Sequence, residues 1–374
     1  MLSRTVAVLG GGHGALTLAA DLSLQGHRVR LFELEEFQDR IRPVFETQII
    51  RAIGEVLSGT AHIDLVTSDL DAAVAHADVV FVAVPAFGHG TYAELLSSRV
   101  KDGQVVTLLP GTLGTLEFAR AWRDLGADPS VVLAETDTFP YATRVEGPGT
   151  VHAYGRTTVR VGVFPANRSE WALELLGQLL DITPAANVLE AGFSSLNPIL
   201  HPAGTILNIG RIERSRGNFF IYEEGMTPSV TRVIDALDAE RLAIARAFGL
   251  ELPTVAEALS SSGYGPKGTT WETLNGSLSL TPISGPFGVD SRYLAEDLPY
   301  GLATWSSIGR QVGVPAPLME ALVVVGTSLS PQVAAAPPRT AESLGLAGLD
   351  TDQTIDYVTT GGAPNVSEPV LPTR

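Results

Sequence analysis

Residues 5–20 read TVAVLGGGHGALTLAA, an apolar run that breaks into glycines and resumes as a stretch of small helix-forming residues. Gly10, Gly12 and Ala15 fill the G-x-G-x-x-(G/A) positions of a dinucleotide-binding loop. There the first glycine permits a tight turn, the second lets the backbone approach a pyrophosphate, and the small third residue lets helix pack close to strand. His13 and Gly14 complete the loop, and the helix beginning here turns its free N–H groups and positive dipole end toward an anion. In a chain with 38 glycines the pattern alone is a weak signal. Its surroundings strengthen it: a helix over Ala15–Gln25 stops at Gly26, and a second strand, HRVRLF (27–32), runs into Glu33. Glu33 lies 21 residues beyond Gly12, close to the roughly 20-residue spacing of a carboxylate that hydrogen-bonds an adenosine ribose 2′-hydroxyl. The plain alternative is a solvated acid at a strand end. A carboxylate there would repel a 2′-phosphate, so NAD(H) is expected in preference to NADP(H). Arg28 and Arg30 alternate with Val29 and Leu31, which points them away from the ribose.

The chain has 374 residues, enough for two domains. A composition 45% hydrophobic and 18% charged supports a large buried interior. No apolar stretch reaches the roughly 18 residues of a membrane span, and no basic leader with a cleavage site precedes the first strand. The expectation is a soluble, cytoplasmic protein with no membrane partner. Without cysteine there are no disulfides, thiolate metal sites or cysteine nucleophile. A net charge of −16 argues against binding nucleic acid by counterion release. The seven histidines include no H-x₃-H or HExxH pair, which argues against a metal site.

Further along, HIDLVT (62–67) reads as a third strand, and SDLDAAVA opens a short helix on an N-cap serine. DVVFVAVP (78–85) and QVVTLLP (104–110) are continuous apolar runs ending in proline, the pattern of parallel strands buried on both faces. A helical run over Leu113–Leu125 and the strand SVVLAE (130–135) follow, so the alternation predicts a doubly wound parallel sheet. Between Tyr141 and Phe164 short alternating runs around EGPG predict a hairpin, then a helix near Glu170–Leu180 and a last strand near Asn187–Glu190. From Ala191 helical periodicity takes over in 230–248, 255–259, 303–312 and 317–329, with glycine- and proline-rich stretches at 260–290. The expected organisation is an α/β Rossmann-type domain over 1–190, an all-α domain over 191–350, and a C-terminal segment over 351–374 whose last dozen residues read as disordered.

In an open parallel sheet, ligands bind at the carboxyl ends of the strands near the switch in strand order. That places Pro85–Phe87 and the Pro110-Gly111-Thr112 turn at the nicotinamide end, although each also reads as plain loop punctuation. The second domain is expected to supply the catalytic groups, because the coenzyme loop offers only backbone and small residues. In NPILHPAGTILN (197–208), Asn197, His201, Thr205 and Asn208 would share one helical face and suggest a wet cleft. Pro198 and Pro202 could each begin a helix or sit inside one, where they would free carbonyls of the preceding turn. Taken alone, this segment favours His201 as a satisfied histidine at a helix terminus. In SRYLAEDLPYGL (291–302), Arg292 offers a planar fork suited to a carboxylate. Glu296 and Asp297 would oppose a helix C-terminal dipole, so at least one needs another partner.

These segments occur in an order that resembles the octopine/nopaline (opine) dehydrogenase family, most closely its bacterial N-(1-carboxyethyl)-norvaline dehydrogenase type. The resemblance runs over roughly 1–350 and includes VPA (84–86), PGTLGTLEF (110–118), Asn197 with HP (201–202), EGMTPSV (224–230), DAER (238–241), YG (264–265) and RYLAEDLPYGL (292–302). It implies that His201 and Asp297 form an acid/base dyad, that Arg292 and Asn197 bind substrate, and that the second domain is all helical. It also implies NADH as cofactor, small-molecule substrates and a homodimer. The implied reaction condenses an amino-acid amine with an α-keto acid such as pyruvate, and hydride then reduces the imine to an N-(1-carboxyalkyl) amino acid. Histidine suits the required proton transfer near neutral pH. A carboxylate at contact distance favours the imidazolium by ~4 kcal/mol at an effective dielectric of 20, which outweighs the ~0.3–1 kcal/mol opposition of a helix N-terminus. His13 stands where relatives often carry Asn. Two rival readings are a hydroxy-acid or ketopantoate-like dehydrogenase, for which only Lys101 and Lys267 could serve as the usual lysine, and a non-catalytic NAD sensor.

Overall fold

The computed structural model describes residues 3–127 and 130–362. Two compact units divide these residues: the first takes those up to Phe164 and Arg168–Leu196, the second Pro165–Asn167 and 197–362.

Among the described residues the first unit holds twelve strands: β1 Thr5–Leu9, β2 Arg28–Phe32, β3 Ile49–Ile53, β4 Gly59–His62, β5 Leu65–Thr67, β6 Val79–Val82, β7 Val105–Leu108, β8 Val132–Thr136, β9 Tyr141–Gly147, β10 Thr150–Arg156, β11 Val159–Phe164 and β12 Ile182–Pro184. Eight form one sheet in the order β12-β11-β8-β7-β6-β1-β2-β5. All neighbours in it are parallel except β11 against β8. Consecutive strands grow outward from β1 in both directions, so the order reverses between β1 and β6. Every residue of β6, β7 and β8 is buried, which is why these strands read as unbroken apolar runs rather than alternating ones. Each fully buried valine or leucine there contributes roughly 1.5–3 kcal/mol.

The run 62–67 is not one strand. His62 ends β4 and Leu65 begins β5, and the two belong to different sheets. β4 joins β3, β10 and β9 in a four-stranded sheet of order β4-β3-β10-β9. The expected hairpin is β9–β10, turning through Gly149 at φ +63. The short helix Leu70–Val74 is capped by Asp69, whose carboxylate accepts from the Ala72 N–H, and not by a serine. The strand expected at 187–190 is absent. Asn187 instead caps the helix Val188–Ser194 by accepting from the Leu189 and Glu190 N–H groups, a competition that its short amide side chain wins over pairing. Strand pairing occurs earlier, at β12.

In the second unit the helices Pro228–Ala247, Val255–Ser261, Ala303–Gln311 and Pro317–Leu329 fall where the periodicity placed them. Thr227 caps the first, with Pro228 in its first turn. The only pairing there among the described residues is an isolated bridge, Phe220 to Ser284. A helix Thr351–Thr360, opened by an Asp350/Gln353 capping box, occupies the C-terminal segment. The tail expected to be disordered lies, from 363 on, outside the described residues. Among the described residues no helix is long and apolar enough to cross a membrane.

Just past β8, Asp137 accepts from the Arg160 N–H at 2.9 Å. Burial, against the pull of that bond and of the Arg160 charge, pushes its carboxyl up to about 6 from the ordinary 3.8. The folded state therefore holds this proton more tightly than the unfolded chain, so Asp137 contributes less stability as pH rises from about 4 to about 6. Asp137→Asn should accordingly gain on the wild type over that interval, read as the difference in Tm across a pH series. A difference independent of pH would remove this role.

Candidate active site

The glycine loop follows β1 at the switch in strand order. Gly10 has φ +118, and a Cβ there would meet the Ala83 carbonyl oxygen at 2.8 Å, so both backbone and space demand glycine. A Cβ on Gly14 would lie 2.5 Å from the Phe139 ring. At Gly12 the same construction finds nothing within 4 Å. Gly12 is also the N-cap of the helix His13–Leu24, which has no side-chain cap and no acid in its first turn. No side chain of the helix's own start caps it or opposes its dipole, the arrangement that suits an anion at a helix N-terminus. Ala15 is fully buried. His13 accepts the Val145 N–H at its Nδ1 at 2.7 Å, tying the loop to β9.

Glu33 is 7% exposed and lies against Gly11, where a Cβ would come 2.5 Å from its Oε2. The Leu34 N–H donates to Oε1 at 2.8 Å, and the Gly11 N–H also donates to the carboxylate. Burial raises its pKa, while these N–H groups and Arg40 oppose the rise. Arg30 donates to the carbonyls of Ala72, at 2.9 Å, and Ala75, and Arg28 pairs with Asp64. Neither is paired with Glu33, in keeping with the alternation along β2.

Pro85 precedes the short turn Ala86–Gly88, in which Phe87 is 56% exposed. The loop after β7 carries Thr112 at φ +49 and Leu113 at φ +66, two consecutive left-handed residues that are not glycine. Glu135, fully buried in β8, holds them. It accepts from the Leu113 N–H at 2.7 Å, the Thr115 N–H at 3.0 Å and the Thr115 hydroxyl at 2.6 Å. Glu135 lies outside the residues expected at the site, and its one signal in the sequence is an acid closing the otherwise apolar run SVVLAE.

In the second unit the helix Asn197–Ile206 keeps Pro202 inside it, which leaves the Pro198 carbonyl without its usual N–H. His201 donates from Nδ1 to Asp297 Oδ2 at 2.9 Å, and the two side chains are 14% and 13% exposed. The Tyr293 ring stacks on the imidazole, with centroids 3.9 Å apart and planes 13° from parallel. Burial raises the Asp297 pKa, and the His201 bond pulls it back. Glu296, the other acid, is held by Arg292 at 2.6 Å, so both acids have the partners that the dipole argument called for. Arg292 itself is 68% exposed. Tyr222, buried in a π-turn over Ile221–Gly225, has its hydroxyl pKa raised by burial first, and then by Tyr293, Asp297 and Tyr264. A second π-turn, Leu298–Leu302, follows Asp297 directly. Such turns are frequent at functional sites.

The polar stripe does not continue as a wet cleft. Thr205 is fully buried, and Asn208 donates to the carbonyls of Gly204 and Gly225. Within the helix Asn197–Ile206, Asn197 and His201 keep partial exposure, as does Asn208 beyond its end. His201 thus sits inside the helix, and not at its terminus, with its Nδ1 paired to Asp297.

Residues 184–330 match the family model described as NAD/NADP octopine/nopaline dehydrogenase, alpha-helical domain. The chain is 39% identical over 351 residues to an opine dehydrogenase of Arthrobacter sp. strain 1C, covering 93% of this chain and 96% of the relative. It is 28% identical over 329 residues to the protein ocs of Agrobacterium tumefaciens strain Ach5, covering 85% and 88% of the two chains. Its fold superposes on that of an octopine dehydrogenase solved with NADH and L-arginine at a TM-score of 0.74, with 21% identity over 96% of this chain and 98% of the other. The identity to the Arthrobacter enzyme, sustained over almost the full length of both chains, shows that this chain belongs to the octopine/nopaline (opine) dehydrogenase family.

Proposed function

We propose that the chain catalyses the NADH-dependent reductive condensation of an α-keto acid such as pyruvate with the amine of an amino acid, and the reverse oxidation. The observation that carries the reading is the largely desolvated His201–Asp297 pair in a chain of this family. Gly10, Gly12, His13, Gly14 and Ala15 would hold the coenzyme pyrophosphate, and Glu33 the adenosine ribose. Pro85 and Phe87 would border the nicotinamide. NADH supplies the hydride that reduces the imine carbon. Because Asp297 accepts the Nδ1–H, Nε2 is the nitrogen left to exchange a proton with substrate. In the oxidative direction neutral His201 takes the proton from the secondary amine, and in condensation the imidazolium returns it. Desolvated Asp297 fixes the tautomer and offsets the imidazolium charge. Arg292 would take the keto-acid carboxylate, exchanging part of its bond to Glu296 for it, and Asn197 would orient substrate one helical turn before His201. A cytoplasmic homodimer is part of the same proposal.

Oxidation of NADH by purified enzyme should require pyruvate and an amino acid together, and activity with pyruvate alone would sink the reading. His201→Ala should lower kcat by about 10²–10⁴ while NADH binding followed by fluorescence persists. Loss of coenzyme affinity together with activity would make the histidine structural.

Arg292→Lys keeps the charge but loses the bidentate fork. The apparent KM for pyruvate should rise while that for NADH holds, and an unchanged pyruvate KM would assign the carboxylate to another group.

Glu33 predicts a higher kcat/KM with NADH than with NADPH. Equal or better use of NADPH would show that the carboxylate does not face the ribose 2′ position.

A further inference from the structure

His201 is anchored twice by its own chain, through the helix Asn197–Ile206 and through the 2.9 Å bond to Asp297. Together they restrain the plane of the ring only as tightly as one hydrogen bond can. The χ2 torsion of histidine is broad, and a hydrogen bond at Nδ1 tolerates tens of degrees of misalignment. Rotation within that range carries Nε2, the atom assigned to exchange the proton, off its line to the substrate nitrogen. The ring face meets Tyr293, stacked at 3.9 Å between centroids and within 13° of parallel. Tyr293 lies on the short helix Arg292–Ala295, four residues before Asp297. One stretch of chain therefore supplies both the acceptor for Nδ1 and the surface against the ring.

We propose that Tyr293 is a positioning residue for proton transfer: its ring face locks the imidazole plane of His201, so that Nε2 is held on the line of the substrate nitrogen. The proposal rests on the reading of His201 as the proton carrier. It gives the aromatic ring, and not the phenol hydroxyl, the working role. Phenylalanine should therefore substitute, whereas an aliphatic side chain of similar size fills the space without defining a plane. A positively charged imidazole over the ring face is also attracted to it, which keeps the stack intact in both protonation states.

The test uses the full-length enzyme with ¹³C-labelled histidine, in which the His201 resonance is identified by its loss in His201→Ala among seven histidines. A proton over an aromatic face is shielded, so the His201 ring protons should lie upfield in the wild type and in Tyr293→Phe, and move downfield in Tyr293→Leu. Tyr293→Leu should also lose about 10- to 100-fold in kcat, the scale of a slightly misplaced group, with the KM for NADH unchanged. Tyr293→Phe should keep most of the wild-type kcat. Should the leucine variant fail to fold, Tyr293→Met carries the same comparison. An unmoved His201 resonance in the aliphatic variant overturns the proposal, as does a moved resonance with full kcat. A phenylalanine variant as impaired as leucine overturns it too, by transferring the role to the hydroxyl. A wild-type enzyme inactive toward amine and keto acid together would instead sink the functional reading, while the His201 resonance still reports on the stack.

Discussion

Asp297 is a carboxylate that has lost most of its water, and the candidate catalytic region is arranged around that loss. An isolated charge so desolvated is costly unless it is paired and hydrogen-bonded, and His201 provides the pairing. The direction of the Asp297 shift records the balance, with burial pushing its pKa up and the imidazole bond pulling it down. Irregular backbone surrounds the pair. Pro202 sits inside the helix that carries His201, and a π-turn begins immediately after Asp297. A π-turn accommodates an extra residue in the helical ladder and so rotates the residues on its two sides relative to each other. Here it separates Asp297, turned to the imidazole, from the regular helix Ala303–Gln311.

The first unit solves a different problem, that of leaving a stretch of backbone uncovered. Gly12 finds no neighbour within reach of a Cβ, while Gly10, Gly11 and Gly14 are crowded by Ala83, Glu33 and Phe139. Glycine is needed at the crowded positions for contact, whereas at Gly12 the structure leaves the backbone open. Glu135 performs the matching service for the loop after β7, where a buried carboxylate compensates for two left-handed residues.

Much of this was legible in the residues. Runs such as 78–85 and 104–110 could be assigned because a strand buried on both faces has no polar alternation to blur it. The helix 317–329 was found to the residue. The features that escaped depend on competition or distance. Asn187 looked like part of a strand because nothing local reveals that its amide will cap a helix. β3 and β4 escape because β3 is anchored to the second sheet by β10, about a hundred residues along the chain, and β4 pairs only with β3. His201 illustrates the limit most sharply. Its own segment suggested a satisfied helix-end residue, and only the resemblance joined it to Asp297, 96 residues away. Tyr293 went unmarked because stacking leaves no periodic trace.

The bond from the Val145 N–H to His13 Nδ1 makes the four-stranded sheet a party to the glycine loop. A nitrogen that accepts a hydrogen bond is unprotonated, so this contact commits the His13 proton to Nε2 and settles the tautomer at the mouth of the loop. It also joins two local stabilities into one. Any ligand that steadies residues 10–15 lowers the chance that the β9–β10 hairpin frays, and any fraying of the hairpin withdraws support from the loop, by the reciprocity that governs linked equilibria. The hairpin would thereby report on any ligand seated at the loop, through the exchange of a single backbone proton at Val145.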